Sequence, residues 1–122
     1  MSEKQTLNKI SEEIIGMAAM KAALSVAGVN HLSETLTDNI TKKIAGKDTG
    51  TIGVKISKDN EGQTVIDIFI VADYGCKIPQ LAWDIQSAVK EHVFKIANDK
   101  VSAVNIHVQG VALPKEHGRD NE

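Results

Sequence analysis

The sequence predicts an α+β fold, a two-layer sandwich in which a mostly antiparallel sheet carries helices on one face in the order α-β-[short α]-β-β-α-β. Three observations carry that expectation. Alternating apolar runs at 51–58 and 64–72 flank Asp59-Asn60-Glu61-Gly62-Gln63, whose Asp, Asn and Gly supply hairpin-turn conformations. A run with apolar residues at helical spacing follows the second strand after one tight turn. A last alternating run at 102–111 then closes the order, and a layer of helices on one sheet face buries both sets of apolar residues.

The first element is a helix over 11–25. Ser11 is its N-cap, Glu12 and Glu13 suit the positive end of the helix dipole, and Gly28 lies just past its far end. Its expected core stripe is Ile10, Ile14, Met17, Ala18 and Leu24, and its many alanines make it slim enough to sit close to a sheet. A short strand at 29–32 comes next. Leu36, Ile40 and Ile44 repeat every fourth residue and predict a small helix over 37–45, stopped by Gly46. The glycines and lysine of 46–53 are not a phosphate loop, because no Gly-Lys-Ser/Thr end leads into a helix.

In the second hairpin strand Ile66, Ile68, Ile70 and Ala72 share the face expected to meet the helices. The opposite face, with Val65, Asp67, Phe69 and Val71, is more apolar than a solvated sheet surface needs. The last strand points Val104, Ile106 and Val108 inward and Asn105, His107 and Gln109 outward. If it lies beside the second hairpin strand, His107 and Asp67 are neighbours. Between these strands, Leu81, Ala82, Ile85, Ala88, Val89, Val93 and Ile96 form one stripe of a long helix. Trp83 and Phe94 project from nearly the opposite side, and two of the chain's few aromatics on one outer helix face mark a contact surface, with Phe69 and Val71 as further candidates.

Composition narrows the function. The chain has 122 residues, a formal net charge of -2, 42% hydrophobic and 25% charged residues, which suits one globular domain, expected over 8–113 between flexible tails at 1–7 and 114–122. Aromatics at 3% and a near-neutral balance argue against nucleic acid, since both stacking platforms and a basic groove are missing. A single Cys and the lack of a secretory leader pattern point to the cytoplasm, where Asn39-Ile40-Thr41 is a chance sequon. The longest apolar run, 68–72, is too short to span a bilayer, so any membrane association is peripheral or through a partner.

The junction Asp73-Tyr74-Gly75-Cys76-Lys77-Ile78-Pro79 joins the most hydrophobic strand to the most regular helix and holds the only Cys. Cys76 at a helix start has the geometry of an activated thiolate or metal ligand, but it has neither a Cys-x-x-Cys partner nor a His near it in sequence. Two readings stay open there: a small apolar filler, or the thiol of an iron–sulfur or thiol-handling assembly protein. His31, His92 and His117 are scattered without zinc-ligand spacing, no pair of facing carboxylates stands out, and no cofactor or metal is expected.

Several segments together resemble one family. Ile10-Ser11-Glu12-Glu13-Ile14-Ile15 opening an Ala-rich helix, Ala27-Gly28-Val29, Gly53-Val54-Lys55-Ile56, Tyr74-Gly75 before a helix with Asp84-Ile85-Gln86-Ser87-Ala88-Val89-Lys90, and Val104-Asn105-Ile106-His107-Val108-Gln109-Gly110-Val111 look in this order like the alkaline shock proteins, envelope stress proteins of Gram-positive bacteria. The match covers nearly the whole chain, about 7–113. The resemblance implies a small cytoplasmic, non-enzymatic binding or scaffold domain of envelope homeostasis. It implies self-association into a homo-oligomer, or attachment to the inner membrane face through a membrane-embedded protein partner, and it brings no catalytic residues. The polar excursion 33–49 and Cys76 depart from the family's usual pattern.

Overall fold

A computed structural model describes residues 3–33 and 52–114, with side chains from Ser11 onward. The elements are α1 (Glu3–Leu24), β1 (Val29–Leu32), β2 (Val54–Lys58), β3 (Thr64–Asp73), α2 (Ile78–Ala97) and β4 (Ala103–Ala112). Both helices cover one face of a four-stranded sheet, as the sequence predicts. The helix expected over 37–45 and the tail from 115 lie outside the described residues.

β3 organises the sheet because every other strand pairs with it. Its residues alternate without a break between buried and half-buried, and Ile66, Ile68, Ile70 and Ala72 are fully buried beneath the helices. β4 runs parallel to it from Val65↔Ala103 to Asp73↔Ala112, α2 forming the crossover between them. β2 is antiparallel to Thr64–Ile68 and β1 antiparallel to Ile70–Ala72. A strand has only two edges, and β4 takes one of them along nearly its whole length. β1 and β2 therefore share the other, end to end and pointing the same way. Among the described residues the sheet has four strands but is three strands wide.

The joint between β1 and β2 falls at Phe69, whose C=O accepts from the Ser33 N–H and whose N–H donates to the Gly53 C=O, both at 2.8 Å. Gly53 has φ +78, and a β-carbon there would stand 2.9 Å from Ser33 O and 3.0 Å from Phe69 O. Only glycine accepts both the left-handed backbone and that approach. Residues 34–51 thus interrupt what is geometrically one strand.

The hairpin between β2 and β3 is closed by Asp59, whose Oδ1 accepts from the Glu61 and Gln63 N–H groups, both at 2.9 Å, with Gly62 at φ +80. At the opposite end Asn30 is buried, and its Nδ2 donates to Asp73 Oδ1 (2.9 Å) and to the Leu113 C=O (3.0 Å). This one amide ties the start of β1, the end of β3 and the exit of β4. Lys77 N-caps α2, with Pro79 in the first turn where a missing N–H is harmless, and left-handed Asn98 closes it with an N–H donated to the Phe94 C=O.

Val108 on β4, expected to point inward, is exposed. Three expectations about the helices also need correction. α1 starts at Glu3, so residues 3–7, expected in a polar tail, are helical; Glu3, Lys4, Gln5 and Leu7 are straight-chain helix formers that extend the helix upstream of Ser11. The buried face of α1 is Ile15, Ala18, Ala19, Ala22 and Ala23, whereas Ile14, Met17 and Leu24 are exposed. Small side chains let α1 lie close against α2 and the sheet, and the larger apolar residues are turned outward. On α2 the docked stripe is Leu81, Ile85, Val89 and Val93, each worth roughly 1.5 to 3 kcal/mol of burial for the larger residues, but Ile96 in the last turn is exposed.

Candidate functional site

The face of α2 opposite its buried stripe carries Trp83, 64% exposed, and Phe94, 55% exposed. They stand in one row with Ser87 and Lys90, at the i, i+4, i+7, i+11 spacing that aligns residues along a helix. α1 displays Met17, 56% exposed, and Leu24 on its own outward side, with Lys21 between them. The helix layer thus shows large apolar side chains on both helices, set among charged ones. Beside Phe94 an open groove of about 560 Å³ is lined by Ser87, Lys90, Glu91, Lys100 and Val101.

Phe69 and Val71 are half-buried on the far face of the sheet. The structure does not bring them together with Trp83 and Phe94, because the full thickness of the sandwich lies between the pairs. Instead the Phe69 ring stacks on His107, with centroids 4.4 Å apart and planes within 14°. His107 Nε2–H donates to Asp67 Oδ1 at 2.9 Å, and Asn105 Nδ2 donates to the same oxygen at 3.1 Å. The expected Asp67–His107 neighbourhood is present, with Asn105 as a third member that sequence reading missed; its outward position in β4, level with Asp67, was the available signal. The Asp67 carboxylate and the Phe69 ring hold this imidazole in place on the far sheet face, and the Asn105 amide in turn holds the carboxylate.

Cys76 precedes the α2 N-cap and is half-buried, packed against the core. Its N–H donates to the Asp73 C=O at 3.2 Å, which closes the turn out of β3. Gly28, at φ +105, lies against it: a β-carbon there would stand 3.7 Å from Cys76 Cβ and 3.0 Å from Leu81 Cδ1. Among the described residues no group of three or more His, Cys, Asp or Glu is placed to hold a metal ion. The junction therefore brings Cys76 to a packed corner of the fold.

Among the described residues no helix is long and apolar enough to cross a membrane. Residues 1–113 match the model of the alkaline shock protein 23 family, described as having a cell envelope-related function. The chain is 33% identical over 107 residues to the uncharacterized protein Spy1535 of Streptococcus pyogenes, covering 87% of this chain and 79% of that one. It is 36% identical over 106 residues to the uncharacterized protein YloU of Bacillus subtilis, with 85% and 87% covered, and 27% identical over 103 residues to YqhY of the same organism, with 84% and 75% covered. No solved structure matches the chain. With the family model spanning nearly the whole sequence and the resemblance of its segments running in the same order, the chain belongs to the alkaline shock protein 23 family, whose function relates to the cell envelope.

Proposed function

We propose that this chain is a non-enzymatic binding or scaffold module of cell-envelope homeostasis, working through protein contacts made by the outward face of its helix layer. The observation that carries this reading is the exposure of Trp83 and Phe94 on a helix whose other side is fully docked. Isolated exposed apolar residues are common, but two aromatics in one row on one helix face are the kind of feature that marks an interaction surface, and Met17 and Leu24 are exposed on the other helix. Tryptophan is also among the residues most enriched at binding hot spots. The contact is with further copies of the chain or with a membrane-anchored protein that holds it at the inner face of the cell membrane.

Affinity capture of a tagged chain from crosslinked cells, with quantitative comparison of the wild type and a Trp83→Ser/Phe94→Ser variant, tests the reading. The expected result is loss of a specific membrane protein, or of untagged chain, from the variant's recovered set, with thermal stability unchanged because neither side chain is in the core. Identical recovery by the two proteins would remove the helix-layer face as the contact surface.

A further inference from the structure

Charge is spread unevenly over the helix layer, and its positive part gathers at the Phe94 end of α2. The groove of about 560 Å³ beside Phe94 has chiefly apolar walls, with Val101 sharing them. Lys90, one turn before Phe94, and Lys100, just past the helix, line the same groove. On the other side of Phe94, the furrow between α1 and α2 is lined by Lys21, His92 and Lys95. Glu91 lines both hollows and is the one acid among the described residues that lines either.

Four exposed lysines thus stand against one glutamate, on a chain whose formal net charge is -2. None of the four forms an ion pair with another described residue; the ion pair among those residues joins His107 to Asp67. Asp99, close by in sequence, is engaged elsewhere, its Oδ2 accepting from the Thr64 hydroxyl at 3.1 Å. The Trp83 end of the row differs: it carries Asp84, which accepts from Gln80 Nε2 at 2.9 Å, and α2 has no lysine before Lys90. Like charges around a hollow with apolar walls focus their field into it, which concentrates ligands of the opposite sign there.

We infer that the Phe94 groove receives a short acidic segment of another protein, one apolar side chain entering against Phe94 and Val101 while flanking carboxylates lie over Lys90 and Lys100. This rests on the reading of the outward helix face as a contact surface and names the chemistry of what it contacts. The apolar anchor supplies most of the affinity, and the lysines supply selection and speed of approach. An anionic bilayer fits the same face less well. Trp83 and Phe94 are about 16 Å apart along α2, and a plane laid over both meets Asp84 and Glu91 as well as the lysines. A segment seated at the Phe94 end meets Glu91 alone among these acids.

Selection of a displayed library of random twelve-residue peptides on the full wild-type chain tests the inference. The enriched peptides are expected to combine carboxylates with an aromatic or large aliphatic residue, and to bind more weakly in fluorescence anisotropy as salt is raised. Lys90→Glu/Lys100→Glu, at two exposed positions, is expected to weaken that binding about 10-fold or more, as is Phe94→Ser, with circular dichroism unchanged. Trp83→Ser is expected to leave it within about two-fold, because that side chain lies outside the groove. Should the charge-reversed variant fail to fold, Lys90→Gln/Lys100→Gln takes its place.

No enrichment, enriched peptides without carboxylates, or equal binding by the charge-reversed variant overturns the inference. Flotation of the wild type but not of that variant with phosphatidylglycerol vesicles would assign the lysines to a lipid surface, and a wild-type dimer that the variant loses would assign the groove to a second copy; either overturns it too. The affinity capture described above separates this inference from the reading beneath it. A partner lost by Trp83→Ser/Phe94→Ser but kept by Lys90→Glu/Lys100→Glu leaves the helix face as the contact surface and ends the acidic-segment inference, whereas a partner kept by both ends the helix-face reading itself.

Discussion

Gly53→Ala measures how tightly the joint between β1 and β2 is built, and Gly62→Ala supplies its control. The two glycines have nearly the same backbone, φ +78 and φ +80, so the left-handed strain of an alanine is common to both, about 1 kcal/mol. They differ in space. Nothing lies within 4 Å of a β-carbon at Gly62, whereas at Gly53 it meets Ser33 O at 2.9 Å and both Leu32 Cβ and Phe69 O at 3.0 Å. Phe69 O cannot yield cheaply, because it accepts the Ser33 N–H at 2.8 Å while the Phe69 N–H is held by Gly53 O. Relieving the overlap by shifting packed backbone costs about 1–3 kcal/mol more. Gly53→Ala is thus expected to destabilise by about 2–4 kcal/mol and Gly62→Ala by about 1 kcal/mol. In urea unfolding followed by circular dichroism, with a slope of about 1–3 kcal/mol per molar, the extra term lowers the Gly53→Ala midpoint by roughly 1 M relative to Gly62→Ala. Equal midpoints for the two variants would refute the close approach of the two strand ends at Phe69.

Two further outcomes follow from the packing and from one carboxylate. Ala19→Leu, at a fully buried position where α1 meets the core, is expected to cost about 1–3 kcal/mol by overpacking, while Met17→Ala on the exposed side stays within about 0.5 kcal/mol; thermal denaturation that ranks them the other way would restore Met17 to the core. The Asp59 carboxyl is held below its usual range by the backbone N–H of Gln63, then by that of Glu61 and by the Ser102 hydroxyl. A depressed folded-state value means this contribution is complete above the ordinary aspartate pKa, near pH 4, and is lost as the pH falls through the lowered value. Asp59→Ala is therefore expected to lower the melting temperature at neutral pH and to narrow that deficit below about pH 4; parallel curves for the two proteins would show that the turn's hydrogen bonds do not favour the ionised form.

Most elements were legible in the sequence because their cues are local. The Asp-Asn-Glu-Gly-Gln turn with its alternating flanks, the 3.6-residue period ending at Val93, and glycines at the bends depend on residues a few positions apart. The outward placement of Trp83 and Phe94 followed from the same period, as did the Asp67–His107 contact once β4 was set beside β3. The face of α1 was not legible in this way. Its sequence offers two stripes, one of large apolar residues and one of alanines, and hydrophobicity alone favours the first. The choice is made by α2, which sits close enough that only the alanines fit.

What the sequence by itself determined is the two helices and four strands of the described residues, the inward face of β3, and the family. The tertiary structure alone decided that β1 and β2 are collinear on one edge, that β4 is parallel and, among the described strands, outermost on the other side, and that the proposed contact residues lie on two opposite faces. Which strands become neighbours is set by contacts between residues 40 positions apart, Asp67 and His107 among them, and no local pattern encodes an edge that no described strand fills.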